Sequence, residues 1–168
     1  KLFASFPFVG ANDGASGVAV LLSMAEKLNQ AQCPFQIGFL FLDGEEAFVE
    51  WTWEDSLYGS RYQAELWEKT GFLKRIQGLI LLDMVGDPQA TFCKESHSHP
   101  GLTEDLWQAA KKTSGRRFFQ DCESSVEDDH LPFIRKGVPA VDIIHYPFPV
   151  YWHTANDLPY QLSEATLN

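Results

Sequence analysis

The sequence predicts an α/β sandwich of three layers, with a mostly parallel, mixed central sheet flanked by helices. Three observations predict it. Short apolar runs with branched and aromatic side chains occupy residues 37–42, 78–85 and 139–144, lengths that suit strands buried on both faces. Segments with helical spacing alternate with these runs, the order that lays helices on the faces of a sheet. Acidic residues stand at the ends of the runs, where the loops of an open α/β sheet converge on one crevice.

A chain of 168 residues suits a single domain, 1–168, with a sizeable core. The net charge of −10 argues against a nucleic-acid partner, whose phosphates call for a basic surface. A bound divalent cation would offset part of it. No stretch approaches the roughly 18–20 apolar residues of a membrane span. Cys33, Cys93 and Cys122 are odd in number and widely spaced, which makes neither a zinc pair nor an obvious disulfide framework, so they read as packing residues. Lys1-Leu2-Phe3 shows neither an initiator Met nor a signal-peptide pattern, and the other end breaks off soon after Ser163, a helix N-cap candidate. The sequence therefore reads as an excerpt of a longer protein.

In order along the chain, residues 10–31 form a glycine-rich approach, GANDGASG, followed by a helix. Val18, Leu21, Leu22, Ala25 and Leu28 recur at helical spacing there. Asp13 reads either as the cap of that helix or as a rigidly placed metal ligand. The run at 37–42 is closed by Asp43-Gly44 and followed by Glu45 and Glu46. On extended backbone neighbouring side chains point to opposite sides, so one glutamate can meet a metal while the other faces a substrate. The bland alternative is a pair of acids opening a helix.

A second helix is expected over 55–69 and a strand over 78–85, where Asp83 stands inside an apolar run and must be paired, metal-bound or protonated. Residues 87–101, with His97-Ser98-His99, read as a solvated loop. A helix over 102–113, a short strand over 116–120 and an acidic turn running into a short helix over 126–137 follow. Asp128, Asp129 and His130 in that turn suit either caps or a site. The last strand, 139–144, leads into YPFPVYWHT, where two prolines stiffen a loop presenting Phe148, Trp152 and His153. Asp13, Glu45, Glu46, Asp83, Asp128 and His153 all fall at or just beyond strand ends or helix starts. One Asp, one Glu and one His make an open oxygen and nitrogen set suited to catalytic zinc, with a fourth position left for water or substrate.

The segments GANDGASG, DGEEAFVEW with DSLYGSR, LLDMVG, EDDHLPFIRKGVP and PFPVYWHT, in this order, strongly resemble the glutaminyl cyclases. These are zinc enzymes with an aminopeptidase-like fold that convert N-terminal glutamine of peptides and proteins into pyroglutamate. The resemblance implies one zinc per chain held by Asp13, Glu46 and His153, with Glu45 as general acid and base. It implies that Asp83 and Asp128 form an acidic pair beside the substrate, and that Trp51, Phe148 and Trp152 line its pocket. Glu127 stands where the animal enzymes commonly carry Gln, in a substrate-contacting position. The resemblance further implies a monomer of the secretory pathway, secreted or periplasmic. An upstream HYDS-like motif and a C-terminal helix of the family lie outside the sequence, and the family's disulfide near GASGVAV has no Cys here to form it. The rival reading is a dinuclear zinc aminopeptidase, with Asp13 bridging two zincs, Asp83 binding the second and Glu45 activating water between them.

Overall fold

The structure is a computed structural model that describes residues 8–29 and 33–167. Helices α1 (Ala15–Leu28), α2 (Tyr58–Lys69), α3 (Pro100–Ala110), α4 (Leu131–Ile134) and α5 (Glu164–Leu167) alternate with strands β1 (Leu79–Asp83), β2 (Phe92–Glu95), β3 (Phe119–Ser124) and β4 (Ala140–Ile144). β1 pairs with β4, and β2 with β3. The chain separates into two compact units, one of Lys1–Phe41, Leu82–Phe92 and Ile144–Asn168, the other of Leu42–Leu81 and Cys93–Ile143.

In the first unit α1 lies close over the backbone of β1. A Cβ on Gly17 would sit 2.4 Å from the carbonyl oxygen of Leu82, so only glycine permits that approach. Ser16 accompanies it, its hydroxyl donating to the Asn12 carbonyl and accepting from the Val85 N–H. Ser163 caps α5 by accepting from the Ala165 N–H.

In the second unit, Gly59 of α2 plays the same part as Gly17, since a Cβ there would meet the Asp43 carbonyl at 2.2 Å. The core is made by Leu57, Ala64, Phe133, Val138, Ala140 and Val141, each no more than 4% exposed. Trp67 packs on Phe133 with ring centroids 5.7 Å apart.

Several local expectations are corrected. Residues 37–42 are neither strand nor helix, and Ile37 and Phe41 are 46% and 49% exposed. The apolar pattern sets extended backbone, but a strand also needs a ladder partner, and none of the described residues supplies one. The helix expected over 55–69 begins at Tyr58, because Asp55 instead collects the N–H groups of Phe48, Val49 and Glu50. The strand expected over 116–120 starts at Phe119, after a 3-10 turn over Ser114–Arg117. The solvated loop over 87–101 contains β2, and its Ser98 is buried. Cys93 and Cys122 form a disulfide between β2 and β3, while Cys33 is free and exposed. A cross-strand pair 29 residues apart leaves no spacing signal in the sequence.

Candidate active site

In the first unit, Asp13 precedes Gly14, whose φ of 100° places the chain where a side chain is disfavoured. Gly14, rather than Asp13, is the N-cap residue of α1, and no side chain caps that helix. The Asp13 carboxylate is instead turned to His153, with Oδ2 3.5 Å from the imidazole Nε2. His153 has a φ of 54°, a left-handed conformation that β-carbon crowding makes costly outside glycine. Met84, directly after Asp83, shares it with a φ of 47°, and in the second unit Gly44, directly before Glu45, has a φ of 68°. Strained or glycine-dependent backbone thus flanks four of the candidate residues, a pattern that gathers at functional sites.

His153 is stacked on Trp152 at 3.8 Å between ring centroids, and Phe148 lies against Trp152 at 4.3 Å. Tyr146 meets Phe148 edge-on at 5.8 Å. The three aromatics beside the histidine form a continuous wall. Asp83 ends β1 and is half-buried.

In the second unit, Glu45 and Glu46 open no helix. They stand in an irregular stretch, with Glu45 half-buried and Glu46 exposed. The start of α2 holds that stretch, since the Leu57 N–H donates to the Glu45 carbonyl and the Tyr58 N–H to the Gly44 carbonyl, both at 2.8 Å. Four bonds to Asp55, from the Tyr58 hydroxyl and three N–H groups, stiffen the following loop and hold the half-buried Asp55 carboxyl down at about 2. Arg61 donates to the Ser56 and Glu54 carbonyls. The YGSR motif is therefore a brace for the loop that carries Glu45, Glu46 and Trp51. Trp51 donates its indole N–H to Glu127 Oε2 at 2.9 Å, bringing together two residues expected to contact substrate.

Asp128 is 4% exposed. Burial, and then the charges of Asp142, Glu45 and Asp129, push its carboxyl well above the usual range. Asp129 is also raised by burial, against the hydrogen bond from Ser60 and the nearby His130. Neither aspartate caps α4 through its side chain, because its N-cap residue is His130 and no cap bond forms.

Two residues of this unit escaped the sequence reading. Asp142 is fully buried in β4, and an Asp inside PAVDII carries the same signal that singled out Asp83. Glu95 is a buried hub. It accepts the N–H groups of His97, Ser98 and Val126, and its oxygens lie 2.8 Å from His97 Nδ1 and 3.1 Å from His130 Nε2. Burial alone would raise its carboxyl, but the His130 contact and these donors outweigh it and hold Glu95 well below the usual range. It thereby pins both ends of the 126–130 turn that presents Glu127 and Asp128. The partners lie up to 35 positions away, so only His97-Ser98 beside an acid hinted at it.

An α/β chain that sets the Asp13 carboxylate beside the His153 imidazole, next to an aromatic wall, offers donor types that a metal site uses. The chain belongs to peptidase family M28, whose sequence model matches residues 3–168. It is 38% identical over 199 residues to the glutaminyl-peptide cyclotransferase-like protein of Bos taurus, an overlap of 100% of this chain and 50% of that protein. Among solved structures it resembles a glutaminyl cyclase of an Acidobacteriales bacterium, with 40% identity and a TM-score of 0.91 over 97% of this chain and 59% of that one. It also resembles a leucine aminopeptidase precursor of Bacteroides thetaiotaomicron, with 37% identity and a TM-score of 0.88 over 96% and 59%. These likenesses carry the α/β sandwich of the sequence reading. The chain spans about half the length of the curated relative and three fifths of the solved chains.

Proposed function

We propose that the protein to which this chain belongs is a zinc-dependent glutaminyl cyclase, which closes N-terminal glutamine of peptides and proteins into pyroglutamate and releases ammonia. The observation that carries the reading is the Asp13–His153 pair, a carboxylate and an imidazole 3.5 Å apart beside the stacked wall of Trp152 and Phe148. Two such donors suit zinc, and the metal also needs a further ligand, which Glu46 supplies in this reading. In this reading the chain holds one zinc in a single catalytic domain.

When bound, the zinc supplies a Lewis acid for the γ-carbonyl of the substrate glutamine. Glu45 accepts the proton of the attacking α-amine and returns it to the departing ammonia. Asp128, pushed towards its neutral form, keeps a proton in store, and with Asp83 it steadies the ammonium that develops. Phe148, Trp152 and Trp51 curl the glutamine side chain back on its own amine and keep water away, which supplies proximity and selects cyclisation over hydrolysis. Glu127 fixes the Trp51 ring through its indole N–H.

The Cys93–Cys122 disulfide supports a secreted or periplasmic location, because such bonds persist in oxidising compartments. We take the enzyme to act as a monomer on peptides, with no nucleic-acid partner. No described helix is long and apolar enough to cross a membrane.

Incubating the full-length protein with a Gln-initiated peptide tests the reading. Loss of one ammonia from an uncut peptide is expected. Release of free N-terminal residues would instead favour the aminopeptidase, the reading that the likeness to a leucine aminopeptidase precursor keeps in play.

A further inference from the structure

We propose that Asp157 is a positioning residue that sets the spacing of Asp13 and His153, and with it the affinity of their site for zinc. The inference rests on the reading of these two residues as ligands.

Three successive backbone N–H groups converge on this one residue. Ala11 donates to the Asp157 carbonyl at 3.3 Å, Asn12 to Oδ1 at 2.8 Å and Asp13 to Oδ2 at 2.9 Å. Both carboxylate oxygens are therefore committed to the backbone of the Asp13 loop. Asp157 is 1% exposed and follows His153 by four residues. Between the two, the chain is folded tightly on itself, with the Asp157 N–H on the Thr154 carbonyl and the Thr154 N–H and hydroxyl on the Tyr151 carbonyl. A second tie runs alongside. Asn12, fully buried, donates to the Tyr151 hydroxyl at 3.3 Å and accepts from the Gly86 N–H at 2.8 Å, while Tyr151 donates to Asp87. Two loops that lie 144 residues apart in sequence are thus locked together at the residue that offers one ligand and four residues from the other. His153 stands outside helix and strand, and its left-handed backbone needs support from its surroundings.

An amide in place of the carboxylate keeps the shape and loses the function. Asn offers one acceptor oxygen, and its NH2 group would face a second N–H donor. One of the two N–H groups of the Asp13 loop then loses its acceptor, and the loop can shift the Asp13 carboxylate from the separation that a small cation requires.

The experiment measures zinc affinity of the full-length protein, metal-free, by competition with a chromophoric chelator. Asp157→Asn should bind zinc about 10- to 100-fold more weakly, the usual cost of losing the group that orients a ligand. Zinc in excess of the weakened Kd should restore most of kcat, a recovery that a merely structural defect would not show. Unchanged zinc affinity in Asp157→Asn overturns the inference alone, whereas a wild-type protein that binds no zinc overturns the metal reading beneath it. Should the variant not fold, amide exchange of the metal-free wild type decides. The Asn12 and Asp13 amides are expected to be protected without zinc, and exchange at open-loop rates overturns the inference.

Discussion

Asp13 and Asp128 are both carboxylates just ahead of a helix, yet their surroundings give them opposite work. Asp13 is half-exposed and faces an imidazole at 3.5 Å, with its backbone N–H tied to a second carboxylate. Asp128 is buried among the carboxyl groups of Asp142, Glu45 and Asp129, where burial and mutual repulsion favour the neutral acid. A carboxyl group that binds a cation has to carry its negative charge, which the second environment disfavours. The same contrast runs through the backbone around them. Asp157 arranges the loops of the first unit, while Glu95 and the start of α2 arrange those of the second.

The hardest blow to the charge-bearing side of this contrast is removal of the metal. Treatment of the full-length protein with a strong chelator should abolish ammonia release, and added zinc should restore it. Activity that persists in protein shown to be metal-free would take Asp13 and His153 out of the chemistry.

The proton-holding side breaks next, at Glu45. Glu45→Gln should retain zinc and fold but lose about 10²- to 10⁴-fold in kcat, the range for acid and base catalysis. A variant with wild-type kcat would reassign the proton transfer to another of the clustered carboxyls.

Asp128→Asn sharpens the contrast, since it should lower activity and raise stability together. Because folding raises the Asp128 pKa, its protonated form is the one the fold prefers. The stability it contributes is complete below the unfolded value of about 4 and is lost as pH rises through the folded pKa. Asn cannot ionise, so the melting temperature of the metal-free variant should exceed that of the wild type by a margin that grows from pH 5 to pH 8. A margin that shrinks over this range would show that Asp128 is not crowded by its neighbours.

The smallest change is expected at Glu127→Gln. The amide oxygen still accepts the Trp51 N–H, so only a few-fold change in KM should follow, with kcat preserved. A large fall in kcat would show that the Glu127 charge itself takes part.

The sequence by itself determined the alternation of elements and the residue types of the candidate site. Helical spacing in α1 and α2 and the apolar runs of β1 and β4 are local patterns, and each element formed within a few positions of its expected place. Asp13, Glu45, Glu46, Asp83, Asp128 and His153 stood out because each falls at or just beyond an expected strand end or helix start, where the loops of an α/β sheet converge. Only the tertiary structure decided what those residues rest on. Asp157 reaches Asp13 across 144 positions, Glu95 reaches His130 across 35, and Cys93 meets Cys122 across 29, none of which leaves a periodic trace. The run at 37–42 shows the reverse limit. Its pattern favours extended backbone, but a strand is a pairing of two segments, and no local window tells whether a second is there to pair.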